Sequence, residues 1–312
     1  AIMNPMPFLA ILASLFKAIA NIAEKQVLTK EDVEIYSSQL SFVLAFISLP
    51  LLFFVKNFDL SSTTLLIIYA TSIGSIVAAL ISVWIIKKLD LSESAVLFAA
   101  SPIFVAVFAI FFLNETLSNL AIIGIVISCL GIFILEYHSP KKEKHPLGVH
   151  GTTSALPELP AELAGPKKKP LLFVLLFVSL ICFSASAIAD RYVIHSRGMD
   201  PLLYLLVIQF CILFNFALID LFINKKMKRK VINPQLFLRK SFWTNIIFIL
   251  CHRVAHVFAL QFMQISILNA VKQIAAVFTT IFGGSIFKEK HILKRSIACV
   301  VVVAGVVLVI LG

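Results

Sequence analysis

Two stretches of this 312-residue chain have nearly the same sequence: residues 20–27 (ANIAEKQV) and residues 186–193 (SAIADRYV). Each closes a long apolar run with a small residue, an acid, a base and a valine. Two later pairs of segments also correspond: 113–115 (LNE) with 287–289 (FKE), and 131–135 (GIFIL) with 305–309 (GVVLV). A hydrophobic chain built twice from one unit is the usual plan of a secondary transporter, whose substrate site lies between the halves.

The composition predicts an integral membrane protein. Apolar residues make up 60% of the chain and charged residues 14%, against roughly 45–50% and 25% in soluble domains. The five cysteines lie within apolar runs, so we expect them to be packing residues and expect neither a metal nor a cofactor. The first apolar run lacks a basic leader, so no cleavable signal peptide is predicted. The basic residues lie mostly in short loops, so the net charge of +11 predicts membrane orientation and no nucleic-acid partner.

Ten segments approach the length of about 20 apolar residues that a membrane-crossing helix needs. They lie at roughly 7–24, 35–55, 62–86, 94–113, 119–137, 170–194, 202–223, 241–264, 267–287 and 292–311. We therefore predict an all-α integral membrane protein with ten transmembrane helices in two five-helix repeats, residues 1–137 and 170–312. The Pro-, Lys- and Gly-rich stretch 138–169 is predicted to be a polar linker. Because each repeat has an odd number of spans, the second is inverted relative to the first.

The lysines and arginines predict the orientation of the chain in the membrane. The loops between spans 1–2, 3–4, 5–6, 7–8 and 9–10 hold 2, 2, 6, 7 and 4 of these residues, 21 in all. The opposite face holds only Lys56, Arg191 and Arg197. Since positively charged loops stay in the cytoplasm, we expect both termini outside and the 138–169 linker inside, in a plasma or inner membrane.

Several motifs resemble those of the drug/metabolite transporter superfamily, in particular ten-helix permeases with two EamA-type domains. The first half has Ser101-Pro102 opening the fourth span, Glu115 thirteen residues after that proline, and Gly124 and Gly131 in the fifth span. The resemblance implies two inverted five-helix repeats that transport a small molecule. The second half departs from the pattern at residues 269–273 (NAVKQ), which are similar to the organic-phosphate and nucleotide-sugar translocator branch. In that branch, basic residues at this depth bind an anionic substrate.

Three basic residues, Lys17, Arg253 and Lys272, lie within predicted spans. A charge in hydrocarbon is costly unless it is paired or lies in a wet cavity, so each is a candidate functional residue. Lys17 lies ten residues, or about 15 Å of helix, beyond Pro7, and Arg253 offers a planar fork that suits a carboxylate or phosphate. Alternatively, the lysines extend to the membrane surface and Arg253 pairs with Asp190 or Asp220.

Polar residues at helical spacing accompany these three charges. We predict a substrate site made of Lys17, Asn21, Arg253, His256, Asn269, Lys272 and Gln273. His252 and His256 share one helix face at i and i+4, where they can handle a proton; adjacent Arg253 repels a cation, so no metal is predicted there. Glu115 and Glu289 are interpreted as structural residues that cap neighbouring helix ends. Glu24 with Lys25 and Asp190 with Arg191 are interpreted as ion pairs at span ends.

A carrier is the function that these features favour. We expect a secondary transporter that moves a small organic anion or zwitterionic metabolite by alternating access, working as a monomer in the lipid bilayer. An amino-acid or drug exporter of the same superfamily is the alternative, although no carboxylate lies at a span centre to attract a cation. A membrane-embedded enzyme or a non-transporting receptor is a more distant alternative, because no nucleophile–base arrangement is visible and neither needs two opposed gates.

Overall fold

Long apolar runs form the helices of this protein, in a computed structural model that describes residues 6–88, 98, 101–137, 169–227, 233–287 and 292–311. The described residues contain no β-strand. The helices are α1 (Met6–Leu28), α2 (Val33–Ser48), α3 (Ser62–Lys88), α4 (Ser101–Leu113), α5 (Asn119–Tyr137), α6 (Lys169–Arg191), α7 (Pro201–Met227), α8 (Lys240–Phe262), α9 (Ile265–Ile286) and α10 (Ile292–Leu311). A 3₁₀ segment, Leu49–Phe54, extends α2, and a π-helical turn, Tyr192–Ser196, extends α6.

Many of the helices are long and apolar enough to cross a membrane. In the described ranges six segments qualify by length and composition: Val33–Phe54, Ser62–Lys88, Val174–Ser196, Pro201–Leu221, Lys240–Phe262 and Ile265–Ile286. Shorter apolar helices cover Ser101–Leu113, Asn119–Ser128 and Val300–Val309. Large apolar side chains such as Phe53 and Phe111 are 90% and 76% exposed, which suits a surface that contacts lipid. Nearly all of the predicted linker, residues 138–168, lies outside the described residues.

The helices pack in pairs that relate the two halves of the chain. The largest contacts join α1 with α8, α3 with α6, and α5 with α10, and smaller ones join α2 with α7 and α4 with α9. If α1 to α5 correspond in order to α6 to α10, the α1–α8 pair becomes the α6–α3 pair. Each of the other three pairs maps onto itself. This set of five helix pairs is therefore the same when the two halves are exchanged.

Small residues allow α5 and α10 to cross closely. A Cβ atom added to Gly124 would lie 2.5 Å from the carbonyl oxygen of Gly305, and one added to Gly131 would lie 2.9 Å from that of Ala298. Ser128 Oγ, between these two contacts, donates a hydrogen bond to the carbonyl oxygen of Val302 at 3.2 Å. Such backbone approach is what small residues permit in membrane helices.

Helix α9 is interrupted near its middle. The regular α-helix ends at Lys272, and the next helical segment begins at Ile274. At the break, the Gln273 N–H bonds to the Ala270 carbonyl, an i→i−3 contact of 3.0 Å. A π-helical segment follows at Thr279–Gly283. The sequence predicts one continuous helix here, and the structure places the interruption directly beside one of the candidate site residues.

Glu115 caps the start of α9, as predicted for this acidic residue. Its carboxylate accepts the backbone N–H of Ile265 at 2.8 Å and that of Ser266 at 3.3 Å. These are donors that a helix N-terminus leaves without intrahelical partners, and the negative charge also suits the helix dipole. Glu289, the corresponding residue of the second half, lies outside the described residues.

Candidate functional site

Helix α1 brings Lys17 to the place where α8 and α9 meet. Against α8, the ring of Phe16 lies 5.9 Å from that of Phe248, and the Asn245 amide donates to the Ala20 carbonyl at 2.9 Å. Against α9, Ser14 Oγ donates to the carbonyl oxygen of Val271 at 3.4 Å. Lys17 follows Ser14 by one helical turn, so its side chain enters the space between the two neighbouring helices.

The structure brings Lys17, Arg253 and Lys272, here called the basic cluster, into one electrostatic group. Lys17 interacts with the charges of both Arg253 and Lys272, although the three come from different helices. All three side chains are half-buried. Lys272 Nζ lies 5.6 Å from the ring centroid of Phe183, within the range of a cation–π contact.

None of the three cations has a direct acidic partner in the described part of the chain. No carboxylate there lies within the 4.0 Å of an ion pair, and no hydrogen bond joins these cations to other protein groups. Buried charges are normally paired and hydrogen-bonded, because desolvation is costly. The basic cluster therefore offers a set of free donors that can bind an anion.

Asp190, near the end of α6, belongs to the electrostatic surroundings of this cluster. Its carboxylate accepts a hydrogen bond from Tyr204 Oη and interacts with the charges of Lys272 and Arg253. The predicted ion pair between Asp190 and Arg191 is wrong. Adjacent helix residues point in different directions, and Arg191 instead donates to the Leu260 carbonyl.

A similar arrangement surrounds Glu24 in the first half. Its carboxylate accepts a hydrogen bond from Tyr36 Oη at 3.1 Å and interacts with the charge of Lys17. Glu24 and Asp190 occupy the same position in the repeated motif, and their tyrosine partners lie on α2 and α7, the next helix in each half. The sequence suggests Asp190 near the cluster only as an alternative partner of Arg253, and Glu24 as a span-end partner of Lys25. The acid repeated in both halves was the signal that relates the two carboxylates.

The two histidines of α8 are stacked against each other. Their ring centroids are 5.9 Å apart and the ring planes differ by 9°. His252 Nδ1 lies 2.8 Å from the carbonyl oxygen of Ala13; because a carbonyl oxygen only accepts, this nitrogen carries a proton. His256 Nδ1 is buried without a hydrogen-bond partner. A role for either histidine in proton handling stays a prediction.

The polar amides predicted for the site differ in their contacts. Asn21 Oδ1 is buried and accepts no hydrogen bond, one turn from Lys17. Asn269 Nδ2 donates to the carbonyl of Ile265 at 3.2 Å. Gln273 Nε2 lies 3.2 Å from Ser101 Oγ, which joins α9 to α4. The donors of Asn269 and Gln273 thus already have protein acceptors, and a substrate contact by any of these amides stays a prediction.

A metal has no evident binding site among the described residues, which contain no group of three His, Cys, Asp or Glu that could hold an ion. Lys17, Arg253 and Lys272 would also repel a cation. The arrangement can instead bind a carboxylate, phosphate or similar anion through a guanidinium and two ammonium groups.

Residues 4–137 match the EamA-like transporter family. The first half of the chain is therefore similar to this family. The family is part of the drug/metabolite transporter superfamily, so the predicted resemblance is confirmed, although the translocator branch is not. Together with the apolar helices, this match supports an integral multi-pass membrane protein.

The fold is also similar to that of a protein of known crystal structure. The two align with a TM-score of 0.64 over 98% of this chain and 95% of the other, at 14% sequence identity. At that identity the likeness concerns the fold alone. No curated protein sequence matches this chain.

Proposed function

We propose that this EamA-family protein is a secondary active transporter that moves a small organic anion or zwitterionic metabolite by alternating access. The observation that carries the proposal is the basic cluster: Lys17 interacts with the charges of Arg253 and Lys272, and the three cations have no direct acidic partner in the described residues. Three neighbouring like charges at membrane depth are costly. An anionic substrate compensates them directly.

The interruption of α9 supports a site at this depth. Transporters commonly bind substrate where membrane helices are discontinuous, because unwound backbone and helix ends supply polar groups there. The regular helix ends at Lys272 itself, so one of the three cations lies at the break. The other two approach it from α1 and α8.

We further propose that residues 1–137 and 170–312 are two inverted five-helix repeats, giving ten spans joined by the 138–169 linker. Three features support this plan. The helix pairing is unchanged when the halves are exchanged. The contacts Gly124–Gly305 and Gly131–Ala298 exchange positions under the same correspondence. The Glu24–Tyr36 and Asp190–Tyr204 hydrogen bonds also correspond, since each joins the acid of the repeated motif to a tyrosine near the start of the next helix.

The proposed orientation has both termini outside and the linker in the cytoplasm, in a plasma or inner membrane, with the monomer as the transporting unit. The charge bias of the loops supports this orientation. A cysteine introduced at Ser154, in the linker, should react with a membrane-impermeant maleimide only after intact cells are opened. Labelling in intact cells would reverse the orientation.

The proposed function can be tested with purified protein in detergent. A thermal-shift panel of phosphates, nucleotides, carboxylates and amino acids should identify anions that stabilise the protein. A ligand present at 100 times its dissociation constant adds about 2.7 kcal/mol of stability. The stabilisation should disappear in a Lys17→Ala, Arg253→Ala, Lys272→Ala triple variant. If no anion or zwitterion stabilises the wild-type protein, or if the triple variant responds equally, the proposed site is wrong.

An amino-acid exporter is the second candidate. The carboxylates of Glu24 and Asp190 near the basic cluster favour it, since they provide negative charge for a substrate ammonium beside positive charge for its carboxylate. In that case the panel should give its largest shifts with amino acids, and esterified amino acids, which have lost the carboxylate charge, should have little effect.

A further inference from the structure

Three buried side chains from α1, α2 and α8 meet at the hydroxyl group of Tyr36. The phenol oxygen lies 3.1 Å from Glu24 Oε1 and 3.0 Å from Asn245 Oδ1. We propose that Glu24 is the proton-binding residue of this transporter: it holds a proton while Tyr36 and Asn245 are in contact and releases it when they separate. The inference rests on the proposed function and adds a coupling ion to it.

The number of protons that Glu24, Tyr36 and Asn245, here called the tyrosine triad, can share carries this inference. Asn245 Nδ2 donates to the Ala20 carbonyl at 2.9 Å. Because a carbonyl oxygen only accepts, the amide is oriented with Oδ1 toward Tyr36. Tyr36 thus faces two acceptor oxygens, although a phenol has a single proton to donate. One of the two contacts needs a second proton, and Glu24 is the member of the triad that can bind it.

The direction of the contact between Glu24 and Tyr36 depends on the protonation of the acid. An ionised Glu24 accepts the Tyr36 proton, which leaves the oxygens of Tyr36 and Asn245 in contact with no hydrogen between them. A protonated Glu24 donates to Tyr36 Oη, and Tyr36 then donates to Asn245. Tyr36 and Asn245 are fully buried and Glu24 is 5% exposed. Buried polar atoms need partners, so the contact with Asn245 favours the protonated acid.

Glu24 has no direct ion-pair partner in the part of the chain that the structure describes. No basic side chain there lies within 4.0 Å of its carboxylate, although the charge of Lys17 acts on it from further away. A proton can therefore neutralise this buried acid where no cation contacts it. The charged residues and histidines of α1 and of the helices packed against it are Lys17 and Lys25 on α1, Glu34 on α2, Lys87 and Lys88 on α3, His252, Arg253 and His256 on α8, and Lys272 on α9.

Opening of the bundle at this end separates the triad. Glu24 and Tyr36 belong to the first half, whereas Asn245 belongs to the second. Asn245 follows Arg239, which forms an ion pair with Glu31 of the first half, by six residues or about 9 Å of helix. When the halves part here, Tyr36 loses Asn245 and donates to Glu24 alone, which stabilises the ionised acid. The proton then leaves, and by linkage proton binding favours the closed form by the same factor.

The equivalent acid of the second half provides a matched comparison. Asp190 accepts a hydrogen bond from Tyr204. Among the described residues, Tyr204 has no second acceptor comparable to Asn245, so this pair is satisfied by the phenol proton alone. Asp190→Asn is therefore the control for Glu24→Gln.

The experiment measures opening of this end as a function of pH, without added substrate. Spin labels are attached to cysteines at Lys30 and Gln235, which are exposed and lie in different halves, in a background without the five native cysteines. Pulsed electron paramagnetic resonance gives the populations of short and long distances. Because the closed form binds the proton more tightly, low pH should favour the short distance. The ratio of closed to open protein should fall by up to about tenfold per pH unit as the pH rises.

Two substitutions in the triad should abolish the pH dependence with opposite effects on the populations. Glu24→Gln presents an amide N–H to Tyr36, as the protonated acid does, and should stay closed at all pH values. Asn245→Leu removes the competing acceptor and should favour the open form at all pH values. A purely structural role for these residues does not predict opposite signs.

The control variants and a spectroscopic measurement identify the acid. Asp190→Asn and a His252→Gln, His256→Gln double variant should keep the pH dependence of the wild-type protein. Infrared spectra of the closed form should lose one carboxylic acid C=O band on Glu24→Gln substitution and none on Asp190→Asn. Thermal unfolding identifies any variant that fails to fold, and if Glu24→Gln does so, Asn245→Leu decides, because it keeps the acid.

The outcomes separate this inference from the proposed function. A distance distribution that does not change with pH overturns Glu24 as the proton site, and stabilisation by an anion still supports the transporter. A pH dependence that persists in Glu24→Gln, or that disappears in the histidine variant, also overturns it. If opening depends on pH as expected but no anion or zwitterion stabilises the protein, the proposed substrate fails and the proton site remains.

Discussion

Substitutions at Arg253 distinguish the contribution of charge to anion binding from that of side-chain geometry. Lysine at this position keeps the positive charge but loses the planar fork that binds a carboxylate or phosphate through two hydrogen bonds. Because a hydrogen bond to a charged group contributes about 1.5–3 kcal/mol, we expect Arg253→Lys to weaken anion binding by about ten- to a hundredfold. Arg253→Ala should weaken it further. Isothermal titration of a panel anion measures both.

The control for this prediction is Arg197→Lys. Arg197 is exposed and lies over the ring of Tyr192, 5.5 Å from the centroid, away from the proposed site. This variant should bind the anion as the wild type does. If the proteins with Arg253→Lys, Arg253→Ala and Lys272→Ala all transport the anion at the wild-type rate, these basic residues are structural and do not bind the substrate.

At the residue scale, the cations of the proposed site were easier to single out from the sequence than the contacts of the carboxylates near them. Lys17, Arg253 and Lys272 were identifiable because each interrupts an apolar run. Asp190 was assigned to the adjacent Arg191, since sequence proximity favours a pair that helix geometry forbids. Its actual partner, Tyr204, lies on the next helix. Only the packing of α6 against α7 determines that contact.

At the scale of elements, the helix boundaries were largely readable. The apolar pattern predicted 62–86 and 119–137, and the structure has Ser62–Lys88 and Asn119–Tyr137. The interruption of α9 at Gln273 was not predicted, because residues 267–287 form one apolar run. The Gln273 side chain lies 3.2 Å from Ser101 on α4, a tertiary contact that hydrophobic periodicity does not contain.

The crossing of α5 and α10 predicts which glycines are essential. A methyl group at Gly305 would collide with the Gly124 carbonyl, so we expect Gly305→Ala to destabilise the protein by about 1–3 kcal/mol. At Gly74 the nearest atom to an added Cβ is the side-chain oxygen of Ser186, at 3.0 Å. Gly74→Ala should therefore be nearly neutral. Thermal unfolding in detergent compares them, and equal stabilities would contradict the close crossing.

The cap on α9 predicts a second effect at this scale. Removing the carboxylate in Glu115→Ala leaves the Ile265 and Ser266 N–H groups without this acceptor, which should cost about 0.5–2 kcal/mol. Glu115→Asp is too short to reach both donors and should show an intermediate loss. Asp59→Ala is the control, because Asp59 is exposed on a loop. If Glu115→Ala unfolds at the wild-type temperature, the capping contact contributes nothing to stability.

At the scale of the whole molecule, one end of the helix bundle is held by contacts between the two halves. Glu31, after α1, forms an ion pair of 2.7 Å with Arg239, which precedes α8. Asn233 Nδ2 donates to the other Glu31 oxygen at 2.9 Å. Lys87 Nζ donates to the Glu31 carbonyl oxygen at 2.7 Å. Lys87 and Glu31 both belong to the first half, whereas Arg239 and Asn233 belong to the second. In the proposed alternating-access cycle, the contacts of Glu31 with Arg239 and Asn233 must therefore break whenever this end opens.

If the protein works by the proposed alternating access, we expect the ion pair between Glu31 and Arg239 to restrain opening of this end. The Glu31 side chain is 5% exposed and that of Arg239 is 25% exposed. Because the arginine is partly solvated, Arg239→Gln should cost about 1–3 kcal/mol, less than the loss of a fully buried pair. It should also raise the reactivity of a cysteine at Asn21 toward a soluble maleimide, in a background without the five native cysteines.

A charge swap and a matched pair within one half complete this test. The double variant Glu31→Arg, Arg239→Glu should recover most of the stability and reduce labelling, because the pair forms again with reversed charges. Asp32 pairs with Lys87 at 3.3 Å, and both belong to the first half. Asp32→Asn should leave labelling at Asn21 unchanged, since that pair never separates when the halves move. If Asp32→Asn and Arg239→Gln increase labelling equally, the effect reflects general loosening. Opening of this end would then not depend on the contact between the halves.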